Sequence, residues 1–200
     1  MYKNCPSHSL FWRSFRHNAL TLSAALLKKL EAAVRKRNQR LAERLQPGLS
    51  EMRIGRMLER AKVRGAVESI VSLFSWKNGT DNYCGELSKE QASLFPKSIY
   101  IFMELEMMIS HFMEFKECVA YHPEYAAVVG RYFPMFRDGS NSWLSMDLDP
   151  ANHNRVVLIH TEFEEMMFEV YGSFEDFLTD AVRANEENDT LAGFDKLKPI

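Results

Sequence analysis

A chain of 200 residues with 46% hydrophobic and 26% charged side chains has the length and balance of one globular domain with its own core; collagen-like and low-complexity classes are excluded. No segment reaches the ~18 consecutive apolar residues of a membrane span, so no bilayer is expected among its partners. The net charge of −2 hides an asymmetry: residues 1–64 hold 15 Lys/Arg and 4 Asp/Glu, a balance of +11, and residues 65–200 hold 10 and 23, a balance of −13.

Residues 1–17 mix Cys, Pro, Ser, His and aromatics without a period and read as an irregular lead. Ala19–Leu27 follows Lys3, Arg13 and Arg16 as a secretion signal would, but it lacks a small-residue cleavage site and Lys28-Lys29 come at once, so it reads as helix. Leu22, Leu26, Leu30, Val34, Leu41 and Leu45 form one apolar stripe and predict a single long helix over 18–46, ended by Pro47-Gly48. Its opposite face carries Lys28, Lys29, Arg35, Lys36, Arg37, Arg40 and Arg44.

Ser50 is placed to cap a second helix, followed by Ile54, Met57, Leu58 and Ala61 at helical spacing. Gly65 breaks the pattern, and Val67, Ile70, Val71 and Phe74 resume it as a third helix that delivers Trp76 and closes at Asn78-Gly79, with the glycine left-handed. Ile99, Ile101 and Met103 alternate as in a strand, and Leu105, Met108, Ile109, Phe112 and Phe115 mark the inner side of a fourth helix.

Val128–Phe136 reads as a strand, with Pro134 at an edge or a bulge. A turn at 137–141 follows, then a strand in which Leu144, Met146 and Leu148 form the one buried face and Trp143, Ser145 and Asp147 alternate with them. After a turn at 149–154 come strands at 156–159 and 166–171, then a helix opened by a Ser173/Asp176 capping box. From Glu186 the pattern lapses, so 186–200 reads as a tail. Helices, then consecutive short strands, then a closing helix predict an α+β fold: N-terminal helices packed on a small antiparallel sheet.

Chemical motifs are sparse. Cys5, Cys84 and Cys118 form no CxxC pair; a sparse, odd count points to reduced thiols in a cytoplasmic setting. His160, Glu162, Glu164 and Glu165 lack the HExxH spacing of a zinc site, and Asp147-Leu148-Asp149 lacks the glycine and distal glutamate of a calcium loop. Neither a phosphate-loop nor a dinucleotide fingerprint occurs, so no cofactor is expected. The basic helix has no aromatics interleaved between Lys28 and Arg44, which leaves base stacking and nucleic-acid binding unsupported. That helix can instead lie solvated or dock on the acidic body of a second copy.

Five stretches in order carry a resemblance: "PGLSEMRIGRML" (47–58), "LFSWKNGT" (73–80), "YFPMFRDGSNSWLSMDLDP" (132–150), "VVLIH" (156–160) and "SFEDFL" (173–178). Together they resemble the SUKH superfamily, which groups a yeast cell-wall-assembly regulator with bacterial immunity proteins. Coverage is roughly residues 45–185, so residues 47–185 form the SUKH-like domain and 18–46 a basic helical extension. The resemblance implies a non-catalytic protein-binding domain: an immunity-type protein that neutralises a toxin, often a nuclease, or a regulatory interaction scaffold. A carboxylate-based hydrolase remains as a third reading, because a partner carboxylate can lie far away in sequence. The residues expected at a partner surface are Lys77, Asn78, Asp81, Asp138, Asn141, Asp147 and Asp149 as exposed loop groups, with Trp76 and Trp143 as aromatic anchors.

Overall fold

In the computed structural model, which describes residues 19–81, 85–118, 126, 130–160 and 167–200, the leading helix breaks at Asn38. Asn38 leaves the helical region (φ −146°, ψ 82°), and its side chain accepts the Leu41 N–H at 3.0 Å. Its amide also donates to the Gln91 carbonyl at 3.1 Å. Asparagine competes well for backbone groups in this way, so one expected helix becomes α1 (Ala19–Arg37) and α2 (Gln39–Arg44). Readings that rest on residues 1–17, Cys84, Val128 and the Glu162–Met166 run lie outside the described residues.

The chain continues through β1 (Leu45–Pro47), α3 (Glu51–Arg60), α4 (Glu68–Trp76), β2 (Lys77–Thr80) and α5 (Lys89–Ala92). Then follow β3 (Ile101–Phe102), α6 (Leu105–Cys118), β4 (Tyr132–Arg137), β5 (Ser142–Asp147), β6 (Val156–His160), β7 (Met167–Tyr171), α7 (Phe174–Glu187) and β8 (Lys198–Pro199). Strands β3 to β8 pair in sequence order as a six-stranded antiparallel meander, and β1 pairs with β2 in a separate ribbon. The fold is α+β.

Local chemistry sets several boundaries where the sequence placed them. The Ser50 hydroxyl caps α3, and the Ser173 hydroxyl accepts the Asp176 N–H at 3.1 Å to open α7. Gly65 adopts φ +109° and lies against the Leu148 backbone, where a side chain has no room. Pro134 sits in β4 at a position that β3 does not reach, since β3 pairs only with Phe136 and Arg137, and the pairing of β4 with β5 shifts register just beyond it. A residue that cannot donate a ladder hydrogen bond thus stands on the locally unpaired side of β4, next to a bulge.

Further differences from the sequence expectations lie in the sheet, the C-terminal stretch and the basic helix. All six residues of β5 are buried, so both faces of the sheet are covered there rather than one. The C-terminal stretch is built in: Asp180 accepts from the Tyr171 hydroxyl (2.6 Å), Arg183 (2.7 Å) and the Ala192 N–H (2.7 Å), and β8 adds the last strand. One core cluster runs from Leu27 in α1 to Leu191, taking in Ile54, Phe74, Phe102, Phe136, Leu144 and Phe177. The basic helix therefore belongs to the core of the domain. Its end is tied down by Arg37, which donates to Asn185 Oδ1 (2.7 Å) and to the carbonyls of Ser93 (3.2 Å) and Leu94 (3.3 Å). Among the described residues, no helix is long and apolar enough to cross a membrane.

Candidate partner-binding site

The segment Trp76–Asp81 is a joint between three helices. The Trp76 indole N–H donates to Glu31 Oε2 at 3.1 Å, and the Lys77 ammonium lies 3.2 Å from Glu31 Oε1. Burial pushes the Glu31 carboxyl up, but hydrogen bonds from Lys77 and Trp76 outweigh it and hold Glu31 below the usual carboxylate range. Asn78 is buried, and its Oδ1 accepts the Leu105 N–H at 3.1 Å, which satisfies a free donor at the start of α6. Gly79 takes φ +86°, and a Cβ there would stand 2.6 Å from the Glu104 nitrogen. The glycine is thus required, but for a close strand-to-helix approach in β2; α4 itself ends at Trp76 on an extended Lys77. Asp81 is half-buried, with its N–H bonded to the Arg44 carbonyl at 2.8 Å.

The turn between β4 and β5 is organised by Asp138, which is buried rather than exposed. Its Oδ1 accepts the Ser140 N–H at 2.7 Å, and both its oxygens accept the Ser140 hydroxyl at 2.8 Å. Burial raises the Asp138 pKa, but the donors from Ser140 and Ser142 prevail and it lies below its ordinary value. Tyr100 is pushed up to about 12 by burial and by the nearby Asp138 charge. Trp143 is buried edge-on to Phe115 (ring centroids 5.0 Å apart) and His111 (6.0 Å), with the Arg137 guanidinium 5.5 Å from its ring. Asn141 is half-buried at the tip of this turn.

At the other end of β5, Asp147 has no solvent exposure. Arg131 approaches it with two nitrogens (3.1 and 3.0 Å), Arg155 Nε donates at 2.8 Å, the Asn152 amide at 3.0 Å and the Asp149 N–H at 3.0 Å. Burial raises the Asp147 pKa; the Arg131 hydrogen bonds, the Asp149 N–H and Arg155 overcome it and keep the carboxylate ionised below its usual range. Arg155 extends the network to Glu169 (3.3 Å) and the Tyr132 hydroxyl (3.4 Å). Asp149 stays part-exposed and caps the short turn at Pro150–Asn152 through the Ala151 N–H (3.0 Å).

The two aspartate turns lie at opposite ends of β5, about 17 Å apart for a strand of that length. The Trp76–Asp81 joint is a third location, on the β1–β2 ribbon. The structure therefore does not gather the expected residues into one cluster. Asn78, Asp138, Asp147, Trp76 and Trp143 hold the framework, Lys77 is half-buried against Glu31, and Asp81, Asn141 and Asp149 are the other half-exposed polar groups of the set. Among the described residues, no group of three His, Cys, Asp or Glu side chains is arranged to hold a metal.

Residues with large roles that the sequence reading missed include Glu31, Arg131, Arg155 and Asn185. Glu31 had a signal, as the one acid among the cations of α1. Asp147 also had one, since it shares strand parity with Trp143 and Ser145. No protein-family model matches the chain, and no curated protein matches it.

Proposed function

We propose that the chain is a non-catalytic protein-binding domain of the SUKH type, acting as an immunity protein that binds and neutralises a toxin domain. The observation that carries the non-catalytic part is the bonding of two buried carboxylates, Asp138 and Asp147, and of the half-buried Asp180. Asp138, Asp147 and Asp180 each have fixed internal donors and each lies below the ordinary carboxylate range. A carboxylic general acid needs a pKa raised toward neutrality so that it holds a proton to give, and a general base needs a free lone pair aimed at substrate. These groups have the reverse character, which gives the hydrolase reading less support.

The order of motifs supports the SUKH assignment, and the acidic balance of residues 65–200 supports a basic partner. A nuclease toxin carries a basic phosphate-binding surface, so an acidic inhibitor meets it with electrostatic steering and covers its active site. The contact groups in this reading are Asp81, Asn141 and Asp149, held in place by the buried residues beside them. The exposed lysines of α1 favour a second reading, a regulatory scaffold with several host partners.

Capture of the tagged full chain from its native host, followed by mass spectrometry at moderate salt, tests both. A single stoichiometric basic partner is expected, with affinity reduced at least about tenfold by Asp81→Lys with Asp149→Asn. Several host proteins would replace the immunity reading with the scaffold. No partner, or a partner indifferent to both substitutions, would overturn the proposed site.

A further inference from the structure

Helices α1 and α7 lie side by side and parallel. Ser23, near the start of α1, donates to Glu175 near the start of α7 at 2.9 Å; Arg37, at the end of α1, reaches Asn185 near the end of α7 at 2.7 Å. The outer side of α1 exposes Lys28, Lys29, Arg35 and Lys36 around the small side chain of Ala32. The outer side of α7 exposes Asp176, Glu186 and Glu187. An open groove between the helices is lined by Lys29, Ala32, Ala33 and Lys36 from one and Glu186 from the other. Neither lysine nor Glu186 makes an ion pair with a described residue.

Glu186 is also poorly placed for its own helix. It stands in the last turn of α7, where the macrodipole disfavours an anion, and that turn holds no basic residue. Glu187 beside it is compensated by Arg183 at 2.8 Å, but Glu186 is not. A cation supplied from outside the chain would satisfy it.

Which partner supplies that cation follows from the pairing of the stripes. Packed helices run about 8–10 Å apart, within the ~10 Å screening length at 0.1 M salt. A uniform polyanion, such as a nucleic acid or an anionic bilayer, would be attracted by α1 and repelled by α7 at the same moment. The surface fits a partner that offers the same two stripes exchanged. A second copy offers that. A two-fold axis in the plane of the interface and parallel to the helices lays α1 of each copy on α7 of the other and keeps every residue at its own height. The lysine at the end of one α1 then meets the acidic end of the other α7.

We infer that the α1–α7 face is the interface of a salt-sensitive homodimer of this chain, with each basic helix docked on the acidic helix of the other copy. With small residues and charges at its centre, the contact is weaker than an apolar dimer interface. This surface is separate from the loops of the proposed partner site, so either reading can fail without the other.

The test is sedimentation of the full chain, supported by circular dichroism to verify folding. The wild type is expected to dimerise at about 50 mM salt and to lose affinity at least tenfold at about 500 mM. Lys29→Glu with Lys36→Glu makes one charge-reversed variant, and Glu186→Lys with Glu187→Lys the other. Each alone is expected to be monomeric, because like charges then meet at both contacts. Mixed one to one, they are expected to form a heterodimer in which both contacts are again complementary. A wild type that stays monomeric at low salt and high concentration overturns the inference. So does a dimer unaffected by either reversal, a mixture that fails to associate, or a monomer whose α1 lysines instead bind duplex DNA.

Discussion

Asp147 and the lysines of α1 carry charge under opposite conditions. The aspartate is fully buried at the end of a central strand and accepts from two arginines, an asparagine and a backbone N–H. Lys29 and Lys36 are exposed on a helix whose inner side supplies the core residues Leu27, Leu30 and Val34, and they pair with no described residue. A buried charge with all its partners specifies how the strands and their turn meet, because any other arrangement strands it. An exposed charge without partners contributes little to folding and is free to be matched by another molecule. Acidic sequence motifs drew the expected site toward the first kind of charge. Recognition is better served by the second kind and by the half-exposed Asp81, Asn141 and Asp149.

The sharpest way to break this comparison is Asp147→Ala. The substitution leaves Arg131 and Arg155 facing one another beside a partly buried cavity. A loss of about 3–5 kcal/mol in unfolding free energy is expected, measured by urea titration. A loss under about 1 kcal/mol would mean that the network is ornamental and that Asp147 is available for another role.

Acid should act through the same groups. Asp138, Asp147, Asp180 and Glu31 all lie below their ordinary values in the folded chain. The unfolded chain protonates them near their ordinary values of about 4, so their stabilisation is complete above that pH and is lost as pH falls through the lower folded values. Urea midpoints should be nearly level from about pH 7 to 5.5 and fall steeply below about pH 4. Asp147→Asn should make that acid limb shallower; an unchanged slope would assign the acid sensitivity elsewhere.

Why these roles were partly legible in sequence is a matter of range. Ser50 and Ser173 cap helices through groups three residues away, and such short-range chemistry is visible in the spacing. The meander followed from turn residues between alternating strands, although β5, buried on both faces, reads in sequence as a strand buried on one. The Asn38 break was missed because hydrophobic spacing continued across it, and the decisive bonds run to Leu41 and Gln91. Asn78 looks like a helix-closing residue, yet it serves Leu105, 27 positions on. Asp147 looks like a turn aspartate until Arg131 and Arg155 are seen to converge on it. Partners that distant leave no periodic trace.

Glu31 lies between the two extremes, since it is an α1 charge that the fold does use. Glu31→Gln keeps an acceptor for the Trp76 indole but removes the charge opposite Lys77. The expected cost is about 1–2 kcal/mol, with a shift in tryptophan emission as the Trp76 end of α4 loosens. No change in either quantity would place Glu31 with the solvated charges of its helix.

The smallest expected effects belong to the groove lysines, and they separate folding from association. Lys29→Ala lies mid-helix at an exposed position without an ion pair among the described residues, and alanine has the better helix propensity. Its stability should be unchanged or raised by a few tenths of a kcal/mol. Lys36 is in the last turn of α1, where a cation favours the helix dipole, but salt screens that effect, so Lys36→Ala at high salt should cost no more than about 0.3 kcal/mol. Both values are to be read from thermal and urea unfolding at about 0.5 M salt, where association is screened. The same two substitutions together should weaken the low-salt dimer at least about tenfold. If instead they destabilised the monomer by more than about 1 kcal/mol, these lysines would be part of the framework, and the distinction drawn between them and Asp147 would not hold.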